Sequence, residues 1–211
     1  LIADRLLSVL GIEHLSYQLI HAKVKVFDRE YTTWMCASED FKKAGESKIA
    51  LDVYYQLERK EGESPLEFCI RMGWADYIYE MLGVDFLILN RDRHGANIEV
   101  LRDRRNKTIR LAPLFDHGLS FFFSSRSMAD IRKTDVMEDK PVQCFVGGNS
   151  AKDNLELIPC DHMPRFHSLC PADKLFILEG LDKVLPKEYL DKIWEMIRRR
   201  WEYYESFCNQ R

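Results

Sequence analysis

The sequence predicts an α+β chain that is mainly α, and three observations lead there. Two stretches alternate apolar and polar residues around polar turns, the pattern of β-hairpins. Elsewhere apolar residues recur three and four apart over long spans, the period of amphipathic helices. Neither internal repeats nor low-complexity tracts interrupt these patterns.

The elements follow in order. Leu6, Leu7 and Leu10 lie at helical spacing, and Gly11 stands where a helix often ends in a left-handed residue, so a short helix is expected over 1–10. From Tyr17 to Phe27, Ile20, Ala22, Val24 and Val26 alternate with His21, Lys23 and Lys25, which predicts a half-buried strand. Asp28, Arg29 and Glu30 form a turn, and Tyr31 to Cys36, rich in β-branched and aromatic residues, completes a hairpin. Ser64, Pro65 and Glu67 make a capping-box helix start with Pro at the first helical position. Phe68, Met72, Ala75, Ile78, Leu82 and Phe86 then carry a single long helix towards Leu89. Ile98–Leu101 and Thr108–Leu111 are expected to pair as a second hairpin, Ile98 with Leu111 and Leu101 with Thr108. Ser124 to Pro164 has no sustained period and reads as mostly irregular. Leu175–Leu185 and Lys187–Phe207 return to helical spacing on either side of Pro186.

Composition narrows the function classes. At 211 residues the chain can bury a core without covalent staples. Its 31 Lys and Arg against 34 Asp and Glu, a net charge of -3, provide no basic field for a nucleic-acid backbone, so no direct nucleic-acid partner is expected. Apolar runs such as Val84–Leu89 are far shorter than the roughly 20 residues of a membrane-spanning helix. Scattered cysteines without a CxxC pair fit reduced thiols and a cytoplasmic location, and no membrane association is expected. The chain opens on Leu1 without a signal-peptide pattern and reads as a piece of a longer protein.

Chemistry concentrates in LILNRDRHGANIEVL, residues 87–101, where Asp92 and Asn97 share a polar loop between a helix and a strand. Phosphoryl transfer needs a carboxylate to orient or deprotonate the attacking hydroxyl and a neutral amide oxygen to hold magnesium against the phosphates. Asp92 and Asn97 suit these roles, although Asp and Asn also populate turns for local reasons. The second hairpin would return the chain to its beginning, and Pro113 can bend it so that Asp116 faces Asn97. Two oxygen ligands then share one hard cation, with water and phosphates completing the shell that magnesium prefers.

NRDRHGAN followed by LAPLFDHG resembles the Asp-Arg-His-x-x-Asn loop and metal-binding Asp of HipA-like kinases and, more distantly, those of phosphatidylinositol kinases. The resemblance is densest from Asn90 to Ser120. It implies a kinase-like C-lobe with a β-hairpin remnant of the N-lobe: residues 1–38 as partial N-lobe and hinge, 39–211 as C-lobe. It implies ATP and Mg2+ as cofactors, Asp92 as catalytic base or hydroxyl orienter, His94 as a loop-ordering or electrostatic residue, and Asn97 and Asp116 as metal ligands. Asp116-His117-Gly118 stands where many protein kinases have Asp-Phe-Gly. Met35, Cys36, Ala37 and Ser38 fall where the family's hinge holds adenine through its backbone. A glycine-rich loop and a strand lysine, which such kinases carry ahead of this region, do not precede the first helix, and Lys23 and Lys25 follow it. The expected reaction is γ-phosphate transfer to a Ser or Thr hydroxyl of a protein substrate, with an antitoxin-like partner implied by the family. A lipid or small-molecule acceptor and a non-catalytic binding module are the alternatives.

Three further clusters have bland readings beside sharp ones. Cys160, His162, His167 and Cys170 carry zinc-compatible donors at no familiar spacing and read as a structural loop. Arg102, Arg104, Arg105, Lys107 and Arg110 read as a solvated hairpin edge. Gly147 and Gly148 read as a turn, with a phosphate cradle or an activation or substrate loop as the sharper possibility.

Overall fold

A computed structural model describes residues 1–123, 125 and 127–211. Helix α1 (Ile2–Leu10) turns Leu6, Leu7 and Leu10 into the core and stops at Gly11, whose φ is 75° and whose N–H donates to the carbonyls of Leu7 and Ser8. Strands β1 (Gln18–Val26) and β2 (Arg29–Ala37) form the first hairpin, from Gln18↔Ala37 to Val26↔Arg29. Its burial departs from expectation. Among the described residues the sheet contains only these two strands, and the apolar face carrying Ile20, Val26, Tyr31 and Met35 stands in solvent, with Ile20 46% exposed. Alternation had implied a buried face, but alternation encodes only that the face is apolar, not what lies on it.

Strand β3 (Glu46–Ala50) and helix α2 (Leu51–Glu58) follow. Helix α3 (Pro65–Arg71) begins on the expected capping box: Ser64 N–H donates to Glu67 Oε2 at 2.8 Å and Glu67 N–H to Ser64 Oγ at 3.3 Å. The single long helix expected here is two. Gly73, at φ 77°, ends the first, and α4 (Ala75–Ile88) starts after Trp74. Gly73 takes this conformation without the Cβ clash any other residue would meet. Met81, Leu82, Phe86 and Leu87 are among the residues that bury α4 on almost every side, against helices introduced below.

After α4 come the two-residue strand β4 (Asp92–Arg93), a 3₁₀ turn over Gly95–Asn97, and strands β5 (Glu99–Asp103) and β6 (Thr108–Leu111). The second hairpin forms two residues out of the expected register, with Val100↔Leu111 and Asp103↔Thr108. Asp103 sets it: its carboxylate accepts from the backbone N–H groups of Arg105 and Asn106 and from Asn106 Nδ2, so the turn starts at Asp103. A shift of two keeps each side chain on its face. Strand β3 pairs with the outer edge of β5, giving the sheet order β3-β5-β6.

The stretch expected to be irregular holds short elements: α5 (Met128–Lys133), β7 (Gln143–Cys144) and α6 (Ala151–Leu155). Ser127 and Ser150 cap the two helices by accepting from Asp130 and Asp153 N–H. Helix α7 (Asp173–Leu178) is shorter than expected because Gly180 turns left-handed at φ 70°. Helix α8 (Lys187–Gln210) lies against α4 and, with α6, completes the core around it. Among the described residues no helix is long and apolar enough to cross a membrane.

Candidate functional site

Helix α4 delivers the chain to the loop through Leu89, left-handed at φ 49°, and Asn90, whose N–H donates to the Asp85 carbonyl. Asn90 Nδ2 donates to Asp85 Oδ1 while its Oδ1 accepts from Asp92 N–H, so the entry to the loop is held before the chemistry-bearing residues begin. Asp92 is partly exposed, and its Oδ1 lies 3.6 Å from His94 Nε2. Because His94 Nδ1 accepts from Ala96 N–H at 3.2 Å, the proton of the neutral ring sits on Nε2 and faces the Asp92 carboxylate. Asn97 is buried, and its Nδ2 donates to the Asp92 carbonyl at 2.7 Å. That bond commits the nitrogen end of the amide and leaves Oδ1 as the end able to ligate a cation.

Asp116 is tied to this loop through the residue before it. The guanidinium of Arg93 is fully buried, and one of its nitrogens donates to the carbonyl of Asn97 at 3.1 Å and to that of Phe115 at 2.8 Å. The backbone around Asn97 and the residue before Asp116 are thereby held on one atom. Asp116 has φ 54°, uncommon for a residue with a Cβ, and its N–H donates to the Tyr17 hydroxyl at 3.0 Å. Burial raises the pKa of Tyr17 above its ordinary value; the Asp116 N–H lowers it, and the nearby Asp116 and Cys36 raise it. The hydroxyl therefore lies near both the Asp116 segment and Cys36 at the end of β2. Of the hinge candidates, Met35, Cys36 and Ala37 form the end of β2 and Ser38 follows it; Cys36 is exposed and lies opposite Leu19.

His117, next to Asp116, has both ring nitrogens shielded from solvent without a hydrogen-bond partner among the described residues. Burial holds it neutral, its pKa well below the ordinary histidine value, with Arg93, His14 and the amino terminus pushing the same way. Tyr17, Arg93 and His117 were not singled out as site residues by sequence. The positions of Arg93 and His117 inside the two motifs could have flagged those two, whereas Tyr17 lies outside both.

The stretch after α5 closes one side of the loop. Strand β7 runs parallel to β4, Gln143 N–H donating to the Arg91 carbonyl at 3.0 Å and Phe145 N–H to the Arg93 carbonyl at 2.8 Å. Beside it lies an open groove of about 340 Å³ lined by His94, Gly95, Val142, Phe145, Gly147 and Gly148, among others. Gly95 is wedged between layers: a Cβ there would meet Asp52 Cβ at 2.5 Å, the Asp52 backbone nitrogen at 2.9 Å and the Phe145 ring at 2.9 Å. The backbone of α2 cannot yield as a side chain could. Gly95→Ala is therefore expected to displace the loop, costing about 1–3 kcal/mol of stability and lowering any turnover by roughly 100-fold. Chemical denaturation and a transfer assay on the folded variant measure the two effects separately.

The remaining clusters resolve more simply. Gly148 N–H donates to Asn154 Oδ1 at 2.8 Å and Gly147 N–H to the Cys144 carbonyl, so these amides serve the turn. Among the described residues no three His, Cys, Asp or Glu side chains converge on a common point, so Cys160, His162, His167 and Cys170 are not gathered as a zinc site. His167 instead packs over Gly11, where a Cβ would lie 2.6 Å from its ring. Of the basic cluster, Arg110 pairs with Glu46 at 2.8 Å, tying the edges of the β3-β5-β6 sheet.

No protein-family model matches the sequence, and no curated protein matches it in sequence. Among solved structures, the chain is similar to the proinflammatory kinase CtkA of Helicobacter pylori, with a TM-score of 0.62 and 14% sequence identity over 99% of this chain and 85% of that one. Across nearly its whole length, the chain has a kinase-like fold.

Proposed function

We propose that this chain is the catalytic region of an ATP- and Mg2+-dependent phosphotransferase of the HipA-like type, acting on a Ser or Thr hydroxyl of a protein. The observation that carries the reading is that the buried Arg93 guanidinium holds the carbonyls of Asn97 and of Phe115, next to Asp116, while Asn97 Nδ2 holds the Asp92 carbonyl, on a kinase-like fold. The donor set fits magnesium. It offers one free amide oxygen and one exposed carboxylate, as suits a cation that keeps water and phosphate in its shell. Bound there, magnesium would neutralise charge on the transferring phosphoryl group.

The protein's own residues divide the remaining work. Asn97 Oδ1 and the Asp116 carboxylate would hold the metal. Asp92 accepts the hydrogen bond, and then the proton, of the acceptor hydroxyl. His94 Nε2–H faces that carboxylate and steadies it as the charge moves. The groove beside His94 and Gly95 is open and partly apolar, with room for a side chain and its neighbours, which favours a polypeptide acceptor. The end of β2, from Met35 to Ser38, would receive adenine through its backbone, and further N-lobe strands would cover the open apolar face of β1 and β2.

Calorimetry of ATP binding with and without magnesium, followed by a radiolabelled γ-phosphate transfer assay, tests the reading. Magnesium-dependent binding and phosphate that a Ser/Thr phosphatase removes are the expected results. A folded protein that binds nucleotide but transfers nothing, or does not bind it, would move the reading to a non-catalytic module.

A further inference from the structure

The peptide group joining Phe115 to Asp116 is gripped at both polar atoms. Its carbonyl accepts from Arg93 at 2.8 Å, and its N–H donates to the Tyr17 hydroxyl at 3.0 Å. In a trans peptide these two groups lie in one plane and point in opposite directions within it, so the two partners together fix its rotation. That rotation sets the direction in which Asp116, at φ 54°, projects its carboxylate. We propose that Arg93 and Tyr17 are positioning residues that set the metal-binding geometry of Asp116 relative to Asn97. This inference rests on the phosphotransfer reading of that site.

Arg93 is built for such a role. Its Nε and one terminal nitrogen bind both oxygens of Asp85 at 2.9 Å each, and Asp85 is itself held by Asn90 Nδ2. The other terminal nitrogen is left to bridge the carbonyls of Asn97 and Phe115. A buried ion pair is a poor stabiliser in itself, because desolvation offsets much of the attraction, and packed apolar side chains often serve as well. Apolar side chains cannot hold two carbonyls from separate segments on one atom. A lysine could replace the charge but not the planar fork. Tyr17 ties the clamp to the opposite wall: its own N–H donates to Asp4 Oδ1 of α1 at 3.2 Å, so the direction of Asp116 is coupled to that helix.

The test uses Tyr17→Phe and Arg93→Lys, with Ile197→Ala in the core of α8 as a control for destabilisation. Mn2+ binding in the presence of a non-hydrolysable ATP analogue is read by electron paramagnetic resonance, alongside urea unfolding and the magnesium dependence of turnover. Partners that orient metal ligands typically change metal affinity by about 10- to 100-fold. Tyr17→Phe is expected to weaken Mn2+ about tenfold at a nearly unchanged unfolding midpoint, with excess magnesium restoring most turnover. Arg93→Lys is expected to weaken it further, towards 100-fold. Ile197→Ala should lower the midpoint and leave metal affinity as in the parent. Parental metal affinity in Tyr17→Phe, or equal weakening by Ile197→Ala and Arg93→Lys, would overturn the positioning role. A folded parent that binds no Mn2+ with nucleotide would overturn the phosphotransfer reading itself, and this inference with it.

Discussion

Asp92→Asn is expected to lower phosphate transfer by roughly 100-fold or more while leaving magnesium-dependent nucleotide binding nearly intact. The substitution is close to isosteric, and the bonds that shape the loop use the backbone of Asp92: its N–H donates to Asn90 Oδ1 and its carbonyl accepts from Asn97 Nδ2. An amide side chain disturbs neither. What disappears is the negative oxygen facing His94 Nε2, the one proposed above to take the acceptor's proton. Asp116→Asn should differ in kind, because the weaker ligand lowers metal and nucleotide affinity as well as transfer. Calorimetry and a radiolabel assay on the parent and both variants separate these outcomes. Transfer at the parental rate in Asp92→Asn would remove Asp92 from the reaction, whatever its effect on binding.

How much of this was legible in advance depends on the range over which each determinant acts. The stop at Gly11, the capping box at Ser64 and the first hairpin are local, set by residues a few positions apart; the first two form as the sequence implies, and the hairpin forms with its turn at Phe27 and Asp28 rather than over Asp28 to Glu30, which leaves Arg29 and Glu30 paired in β2. The break at Gly73 was equally local and was outweighed by apolar spacing that continues in phase across it. The same holds for α5 and α6, whose Ser-x-x-Asp starts at Ser127 and Ser150 are capping signals inside a stretch without periodicity. The register of the second hairpin turned on the side chain of Asp103, which alternation alone does not weigh. In the candidate site, the motif lists the chemistry-bearing residues in one short run, but the clamp around Asp116 draws on Tyr17, 99 residues away. Such a contact leaves no mark on spacing or composition. The openness of the first hairpin's apolar face depends on what lies against it, which strand patterning does not encode.

Arg200 was hidden differently, in a run of three arginines whose composition suggests a solvated helix end, and its removal is expected to lower stability substantially. It falls three and four positions after Ile197 and Met196, on the apolar stripe of α8, and is fully buried. Its guanidinium donates to the carbonyls of Val136 at 3.0 Å, Phe86 at 3.0 Å and Glu138 at 2.8 Å, and lies over the Phe86 ring. It thus joins α8 to α4 and to the segment leading into β7. Burial lowers its pKa to about 10, partly offset by Asp139 and Asp135, so the group is still charged at neutral pH. The sign of this shift limits its meaning: with fewer protons bound in the folded state, stability would rise only as pH climbs from about 10 towards the ordinary arginine value. At pH 7 the buried charge opposes folding, and its hydrogen bonds act against that cost. Arg200→Met relieves the desolvated charge but leaves the buried Val136 carbonyl and the part-buried Glu138 carbonyl without this donor, at about 1–3 kcal/mol each, while Phe86 keeps the Leu89 N–H, so a net loss of about 2 kcal/mol is expected. Arg200→Lys should fall between parent and Met, since one ammonium cannot span the three acceptors. Urea unfolding at pH 7 decides it: a Met variant within about 0.5 kcal/mol of the parent would show that water or backbone movement satisfies those carbonyls and that the clamp contributes little.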